Sequence, residues 1–250
     1  MSILQDSAIV LREYAYSETS QIIVFFTMTA GKVRALGKGI RRGTKKRFAS
    51  GVDLLDIGKV TVQGRGERSG GLATLTEWKQ TRCLSGLRES LHRLHGAQYV
   101  AEVTAHLTEE WDPHPGLYQQ LEASLALLAE SEEPLLALVV YQRALLRSVG
   151  SLPVFDQCVG CDRTTELAHF STLDGGMICS NCAPRHRETK PVRPETLAIL
   201  CDRAKGAASE GAFALLNHHI AHLMGKMPAL APQLLAPARL ATGEQRGQES

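Results

Sequence analysis

Four of the six cysteines form two closely spaced pairs, Cys158-Val-Gly-Cys161 and Cys179-Ser-Asn-Cys182, with seventeen residues between the pairs. Two residues between thiols let each pair occupy one edge of a tetrahedron, and this spacing is typical of structural zinc sites. A pair of redox-active disulfides is the alternative, which the doubled motif disfavours. Four thiolates would close the coordination sphere and leave no position for an activated water. The sequence therefore predicts one structural Zn²⁺ held by Cys158, Cys161, Cys179 and Cys182.

A second stretch that could do chemistry runs from Gly31 to Val52 and holds eight Lys or Arg residues before the first acid, Asp53. Uncompensated cations repel one another, and contact with a polyanion relieves that repulsion. A solvated basic loop without a ligand is the alternative. We predict that the following residues contact nucleic-acid phosphates, the last two from a later glycine-rich loop: Arg34, Lys38, Arg41, Arg42, Lys45, Lys46, Arg47, Arg65 and Arg68.

Aromatic residues for stacking on bases are scarce, at 5% of the chain. Tyr14, Tyr16 and Phe48 are the candidate stacking platforms, whereas Phe25, Phe26 and Trp78 have the pattern of core residues. Base stacking is therefore expected to matter less than in dedicated single-strand binders, and binding should be salt-dependent with weak sequence preference.

The sequence does not match the common motifs of nucleotide-binding or catalytic sites. Three residues separate Gly39 from Gly43, and Thr44-Lys45 follows, which matches a P-loop in neither spacing nor order. His218 and His222 lie one helical turn apart but lack the glutamate of a metalloprotease motif, so structural histidines are the better interpretation. The sequence predicts no enzymatic activity.

Charge is unevenly divided along the 250 residues. Residues 1–80 carry 13 basic and 7 acidic side chains, against 15 and 19 in the remainder, although the whole chain has a net charge of only +2. The beginning of the chain has no signal-peptide pattern, and the longest apolar run is too short to cross a bilayer. We expect a cytoplasmic protein with no membrane partner. Its first third, which carries the excess of basic residues, is expected to contact anionic partners.

Five short runs in the first 80 residues have the composition of strands: Ala8 to Leu11, Ile22 to Thr27, the first half of the basic stretch, Val52 to Val62, and Gly71 to Trp78. Glycine-marked turns separate them, which is typical of a small closed barrel. The OB-fold is the five-stranded type that binds oligonucleotides through its second and third strands and adjacent loops. An SH3-like barrel is the alternative, because it gives a similar pattern.

After residue 80 the hydrophobic period becomes helical. We predict an α-helical domain over 81–156 and 190–225, a zinc-ribbon insert over 157–189 with a hairpin at Asp174-Gly175, and a flexible tail over 226–250. The predicted fold class is α+β: an N-terminal five-stranded OB-fold β-barrel over 1–80, followed by an α-helical domain with an inserted four-cysteine zinc ribbon.

The sequence resembles the RecO family of recombination mediators over about residues 5–225. The resemblance is most specific in Tyr16-Ser-Glu-Thr-Ser20, Gly31-Lys-Val33 and Gly37-Lys-Gly-Ile-Arg-Arg42, which are similar to the family's Glu-Thr-Ser, Thr-x-x-x-Gly and Lys-Gly-x-Arg-Arg signature. The cysteine quartet matches the zinc-bearing branch. The chain departs from the family at Thr44 to Phe48, where a serine-rich loop start is usual.

The resemblance implies a non-enzymatic protein that binds single- and double-stranded DNA and anneals complementary strands. It also implies action with RecR to load RecA onto DNA covered by single-strand-binding protein (SSB), so RecR and SSB are expected partners and RecA an indirect one. The expected location is the bacterial cytoplasm, with association to the nucleoid during repair.

Two interpretations from other classes stay open. One is an OB-fold RNA-binding protein with a structural zinc, which RNA and DNA affinities at equal salt would separate from a DNA binder. The other is a zinc-dependent enzyme such as a deacylase, which would need a catalytic His/Asp cluster or a cofactor motif that the sequence does not provide.

Overall fold

A computed structural model of the protein describes residues 2–40, 51–64, 72–132, 134–202 and 209–235. Its first part is a closed barrel of five strands: β1 (Ile3–Ala15), β2 (Gln21–Thr27), β3 (Gly31–Gly37), β4 (Ile57–Gln63) and β5 (Ala73–Arg82). The strand order is β1-β2-β3-β5-β4, with β4 returning to pair with β1 and β3 parallel to β5. This is the order of an OB-fold, so the predicted barrel is confirmed and the SH3-like alternative is set aside.

Alternate residues of the barrel strands face two different cores. The inward set fills the barrel and includes Val10, Ile23, Phe25, Val33 and Trp78. The outward set packs against the helices and includes Ile9, Leu11, Val24 and Phe26. Burial on both faces explains why β2 is a nearly continuous apolar run rather than an alternating one.

The fourth strand begins later than the sequence predicted, at Ile57 rather than Val52. Residues 53–56 form a turn, in which the Asp56 amide donates to the Asp53 carbonyl at 3.2 Å and Leu55 has a φ of 69°. Leu54 and Leu55 thus look like strand residues by composition, but their backbone reverses direction before the strand starts.

The helical domain consists of α1 (Leu91–Leu107), α2 (Pro115–Glu130), α3 (Pro134–Ser148), α4 (Pro194–Leu200), α5 (Ser209–Met224) and α6 (Ala231–Leu235). Ser85–Arg88, expected to belong to the first helix, forms a separate 3-10 turn. A Cβ on Gly86 would lie 2.4 Å from the Ala129 carbonyl oxygen, so this turn rests directly on the end of α2. Among the described helices, none is long and apolar enough to cross a membrane.

The helices share one hydrophobic core with the outer face of the barrel. Its centre holds the fully buried rings of Tyr99, Tyr141 and Phe213. The Gln142 amide donates to the Tyr99 hydroxyl at 2.7 Å, and that hydroxyl donates to Asn217 Oδ1 at 3.0 Å, which ties α1, α3 and α5 together. Because buried polar groups are costly when unpaired, this chain of bonds favours one arrangement of the three helices.

Between α3 and α4 the chain forms a three-stranded sheet in the order β7-β6-β8, from β6 (Leu167–Ser171), β7 (Gly176–Cys179) and β8 (Lys190–Pro191). β6 and β7 are antiparallel and joined by a turn with Gly175 at a φ of 71°, as the Asp174-Gly175 pair predicted.

The end of the described chain differs from the flexible tail expected from residue 226. Ala231 and Leu234 of α6 are buried in the helical core, and the Ala229 amide donates to Glu102 of α1 at 2.9 Å. Packed structure therefore extends to Leu235, and residues 236–250 lie outside the described part.

Candidate metal centre and nucleic-acid surface

The four paired cysteines converge on one point at the base of the β6–β7 hairpin. Their Sγ atoms all lie within 4.8 Å of one another, and 3.7 Å separates those of Cys161 and Cys179. Tetrahedral Zn²⁺ with Zn–S bonds of about 2.3 Å holds its thiolates about 3.8 Å apart. The donor set therefore fits one Zn²⁺, and the predicted ligands are brought together.

Each cysteine pair lies in a tight turn made by backbone hydrogen bonds. The Asp162 amide donates to the Cys158 carbonyl at 2.8 Å, and the Cys182 amide donates to the Cys179 carbonyl at 3.0 Å. Gly160 has no positive φ, and a Cβ there would lie 3.1 Å from His186 Nε2, so a larger residue would require a small shift of the His186 ring. The left-handed residue of this turn is Asp162, with a φ of 59°.

The protein's own groups stabilise one thiolate at this centre. Burial acts to raise the pKa of Cys158, but backbone amides of Cys179 and Gly160 stabilise its thiolate and lower the pKa to about 6. Hydrogen bonds with Cys161 and Cys179, in contrast, raise the pKa of Cys182 to about 12. Four neighbouring thiolates repel one another, so holding all of them ionised requires a bound cation.

The hairpin joins the cysteine cluster to the helical domain. Phe170 of β6 is fully buried, with its ring 6.3 Å from that of Phe155 and nearly perpendicular to that of His219 on α5, at 6.1 Å. Met177 of β7 lies in the same helical core. A change at the metal centre should therefore reach α5 through a packed contact.

His219 is the most constrained histidine of the α5 group. Its Nε2 lies 3.0 Å from the Ser151 carbonyl, while its Nδ1 is buried and has no hydrogen-bond partner among the described residues. Burial lowers the pKa of His219, so the ring is neutral and donates through Nε2. His218 lies 3.7 Å from Glu188 and burial lowers its pKa. These contacts agree with the structural role predicted for this group.

The second candidate site begins on β3, where the basic stretch leaves the barrel. Lys32 points outward, but its ammonium donates to the last-turn carbonyls of α1, to Ala105 O at 2.7 Å and to Thr108 O. Burial lowers its pKa, with Glu109 and Glu110 acting in the opposite direction. The strand is fixed further by the Trp111 amide, which donates to the Lys32 carbonyl at 2.9 Å. Lys32 thus joins the barrel to α1.

The sequence did not reveal this role of Lys32. The acceptors lie 73 and 76 residues further along the chain, and nothing near Lys32 marks it as different from the other cations. A helix C-terminus does favour a cation, but the pairing depends on the tertiary fold.

Of the predicted phosphate-contacting residues, Arg34 and Lys38 lie in the described part. Arg34 is 44% exposed and forms an ion pair with Glu110, so its charge is partly compensated. Lys38 is exposed just beyond the end of β3. Arg41, Arg42, Lys45, Lys46, Arg47, Arg65 and Arg68 lie outside the described residues, and so does Phe48.

Two family models match the chain. The model described as "Recombination protein O N terminal" covers residues 1–84, and "Recombination protein O C terminal" covers residues 88–213. Their boundary falls between the barrel and α1.

Curated relatives agree with these models. Proteins named "DNA repair protein RecO" are 34% identical over 181 residues in Rhodopirellula baltica, 31% over 185 residues in Bacillus cereus and 31% over 192 residues in Bacillus subtilis. These alignments cover 71%, 74% and 77% of this chain and 66%, 71% and 73% of the respective relatives.

Proposed function

The chain belongs to the RecO family of DNA repair and recombination proteins, and from this premise we propose that it is a non-enzymatic recombination mediator. It binds single- and double-stranded DNA, anneals complementary strands and, with RecR, helps to load RecA onto DNA covered by SSB. The observation that carries the proposal is an OB-fold barrel whose third strand leads directly into a run of cations.

The physical basis of annealing is charge compensation. Two DNA strands repel each other through their phosphates, and a cationic surface that binds both lowers this repulsion. Arg34 and Lys38 belong to that surface at β3, and we assign further phosphate contacts to the basic residues from Arg41 to Arg47 and to Arg65 and Arg68. Phosphate contacts carry little sequence information, so the protein accepts complementary strands of any sequence.

Zn²⁺ is proposed as the ion at the cysteine centre, with a structural role. Cys158, Cys161, Cys179 and Cys182 would hold it, and four thiolates leave no position for substrate or water. The bound ion would neutralise the thiolates and hold the two turns of the ribbon together. In this proposal the barrel binds DNA, and the metal ion stabilises the fold.

Strand annealing in the presence of the proposed partners tests this function. Complementary oligonucleotides are coated with SSB, and annealing is followed with and without the protein; RecA filament formation on SSB-coated single strands is followed with the protein, RecR, or both. We expect faster annealing with the protein alone and faster RecA loading with both. No effect on either rate would refute the proposal, and a clear preference for RNA at equal salt would favour the RNA-binding alternative.

A further inference from the structure

Pairing of the barrel strands aligns four outward side chains in one row. Tyr14 on β1 lies opposite Ile22 on β2, Ile22 lies opposite Leu36 on β3, and Leu36 lies opposite Thr74 on β5. Neighbouring strands are about 4.8 Å apart, so the row is about 14 Å long. It crosses the outer face of the barrel from β1 to β5.

The side chains of this row lie outside the core that the barrel shares with the helices. Tyr14 is 47% exposed. Within the described part of the chain, Ile22 and Leu36 are half-buried but pack on neither the barrel core nor the helical core. On the same face of β2, Val24 and Phe26 are buried in the helical core. An exposed ring that is continued by two half-buried aliphatic side chains outside both cores indicates an interaction surface.

The tyrosine of the row is held in place by a neighbouring cation. Arg12, two positions earlier on β1, donates from Nη1 to the Tyr14 hydroxyl at 3.0 Å. Arg12 in turn lies opposite Val24, which lies opposite Arg34 on β3. The guanidinium groups of Arg12 and Arg34 therefore lie on one side of the row. On the other side, Lys38 comes two residues after Leu36 in the sequence.

We propose that the three apolar residues of this row, Tyr14, Ile22 and Leu36, form a stacking surface for the unpaired bases of a single DNA strand. The inference rests on the proposed DNA-binding function and names the ligand of one part of the barrel. A single strand offers flat apolar bases beside regularly spaced phosphates, and an apolar row between cations is complementary to both. A duplex keeps its base faces stacked inside and presents only phosphates and groove edges, so it cannot use the row in this way.

The proposal selects Tyr14 from the stacking candidates that the sequence offered. Stacking is expected to matter less than in dedicated single-strand binders, and the proposal assigns it to one exposed ring that Ile22 and Leu36 extend on the neighbouring strands. Tyr14 thus distinguishes single strands from duplexes, whereas the basic stretch binds both.

The test compares Tyr14→Ala, Tyr14→Phe and Leu127→Ala with the wild type on three ligands at one salt concentration. The ligands are a thymidine oligonucleotide, an abasic deoxyribose-phosphate chain of the same length, and a duplex. Leu127 is the control, because it is an apolar side chain of similar exposure, 53%, but lies on α2 and not on the barrel. Photo-cross-linking to an oligonucleotide with 5-iododeoxyuridine then locates the contacted residue by mass spectrometry, without any substitution.

We expect the wild type to bind the thymidine chain at least about fivefold more tightly than the abasic chain, as one stacked base would provide. Tyr14→Ala should remove most of this preference and leave duplex binding unchanged. Tyr14→Phe and Leu127→Ala should retain the preference, and cross-links should map to Tyr14. Equal wild-type affinity for both chains, or cross-links found only elsewhere, would overturn the stacking surface while leaving phosphate binding intact. Absence of salt-dependent DNA binding in the wild type would instead refute the proposed function itself.

Discussion

Replacing Lys32 by methionine should weaken the junction between the barrel and the helical domain. Methionine retains much of the length and apolar character of the lysine stem but removes the ammonium that binds the Ala105 and Thr108 carbonyls. The backbone bond from the Trp111 amide to the Lys32 carbonyl stays available. The substitution therefore isolates the contribution of the charged group.

The magnitude follows from the two hydrogen bonds and the burial of the charge. A hydrogen bond to a charged group contributes about 1.5–3 kcal/mol. Burial of the ammonium, which lowers the pKa of Lys32, offsets part of the sum. The two carbonyls at the end of α1 would also lose their partner, which adds a cost. We expect Lys32→Met to lower the free energy of unfolding by about 2–4 kcal/mol.

Urea denaturation followed by circular dichroism measures this change. Arg34→Met is the matched control: Arg34 lies on the same strand, but its ion pair with Glu110 is 44% exposed on the arginine side, and such pairs contribute about 0–1 kcal/mol. A Lys32→Met variant within about 0.5 kcal/mol of the wild type, or no less stable than Arg34→Met, would refute the role assigned to Lys32.

Three further predictions concern the metal centre, α5 and the β2–β3 turn. Cys158→Ser should lower the zinc content, measured by mass spectrometry, from about one ion per chain to near zero, and should lower the Tm by more than about 5 °C. Cys83→Ser, at an exposed cysteine, should change neither the zinc content nor the Tm. Equal Tm values for the two variants would contradict a structural metal. Because the pKa of His219 is lowered in the folded protein, this side chain binds a proton more readily in the unfolded chain. The contribution of His219 to stability is therefore present above the ordinary histidine pKa of 6.5 and is lost as the pH falls toward the lower pKa of the folded state. The fall in Tm between about pH 7.5 and about pH 5.5 should therefore be smaller in His219→Gln, and an unchanged fall would show that other groups cause it. Gly31→Ala should lower the free energy of unfolding by at least about 2 kcal/mol, because φ is +69° and the new Cβ would lie 1.8 Å from Asp112 O. Gly39→Ala, where φ is +72° and the space around the new Cβ is open, should lower it by only about 1 kcal/mol. Equal losses in the two variants would show that the contact with Asp112 does not matter.

Sequence patterns predicted those features whose cause is local. The cysteine spacing identified the residues that converge, because two intervening residues restrict how a pair of thiols can lie. The apolar runs and glycine-marked turns identified the strands, although Leu55, at a φ of 69°, delays the fourth one. Local patterns of this kind survive in the fold because nothing distant competes with them.

Features that depend on distant partners were not predicted. Lys32 resembles its basic neighbours, and only the docking of the barrel on α1 separates it from them. Ala231 and Leu234 belong to a proline-rich stretch that looks flexible, but α1 supplies a surface that buries them. The stacking row likewise arises from the register of three strands, which joins Tyr14 to Ile22 and Leu36 across the barrel.

The central claim is that the basic stretch after β3 binds DNA phosphates. Its most direct test is the salt dependence of single-stranded DNA binding for the wild type and for Arg41→Glu/Arg42→Glu/Lys45→Glu. The control is Arg185→Glu/Arg187→Glu/Lys190→Glu, which makes the same change in net charge at three exposed residues following the last cysteine of the quartet, outside the barrel.

We predict that the barrel triple variant loses about 0.7 in the slope of log affinity against log salt for each phosphate contact removed, about 2 in all, while the control keeps the wild-type slope. Strand annealing in the same buffers should be lost only in the barrel variant. An unchanged slope and unchanged annealing in that variant, or equal losses in both variants, would contradict the assignment of DNA binding to this stretch.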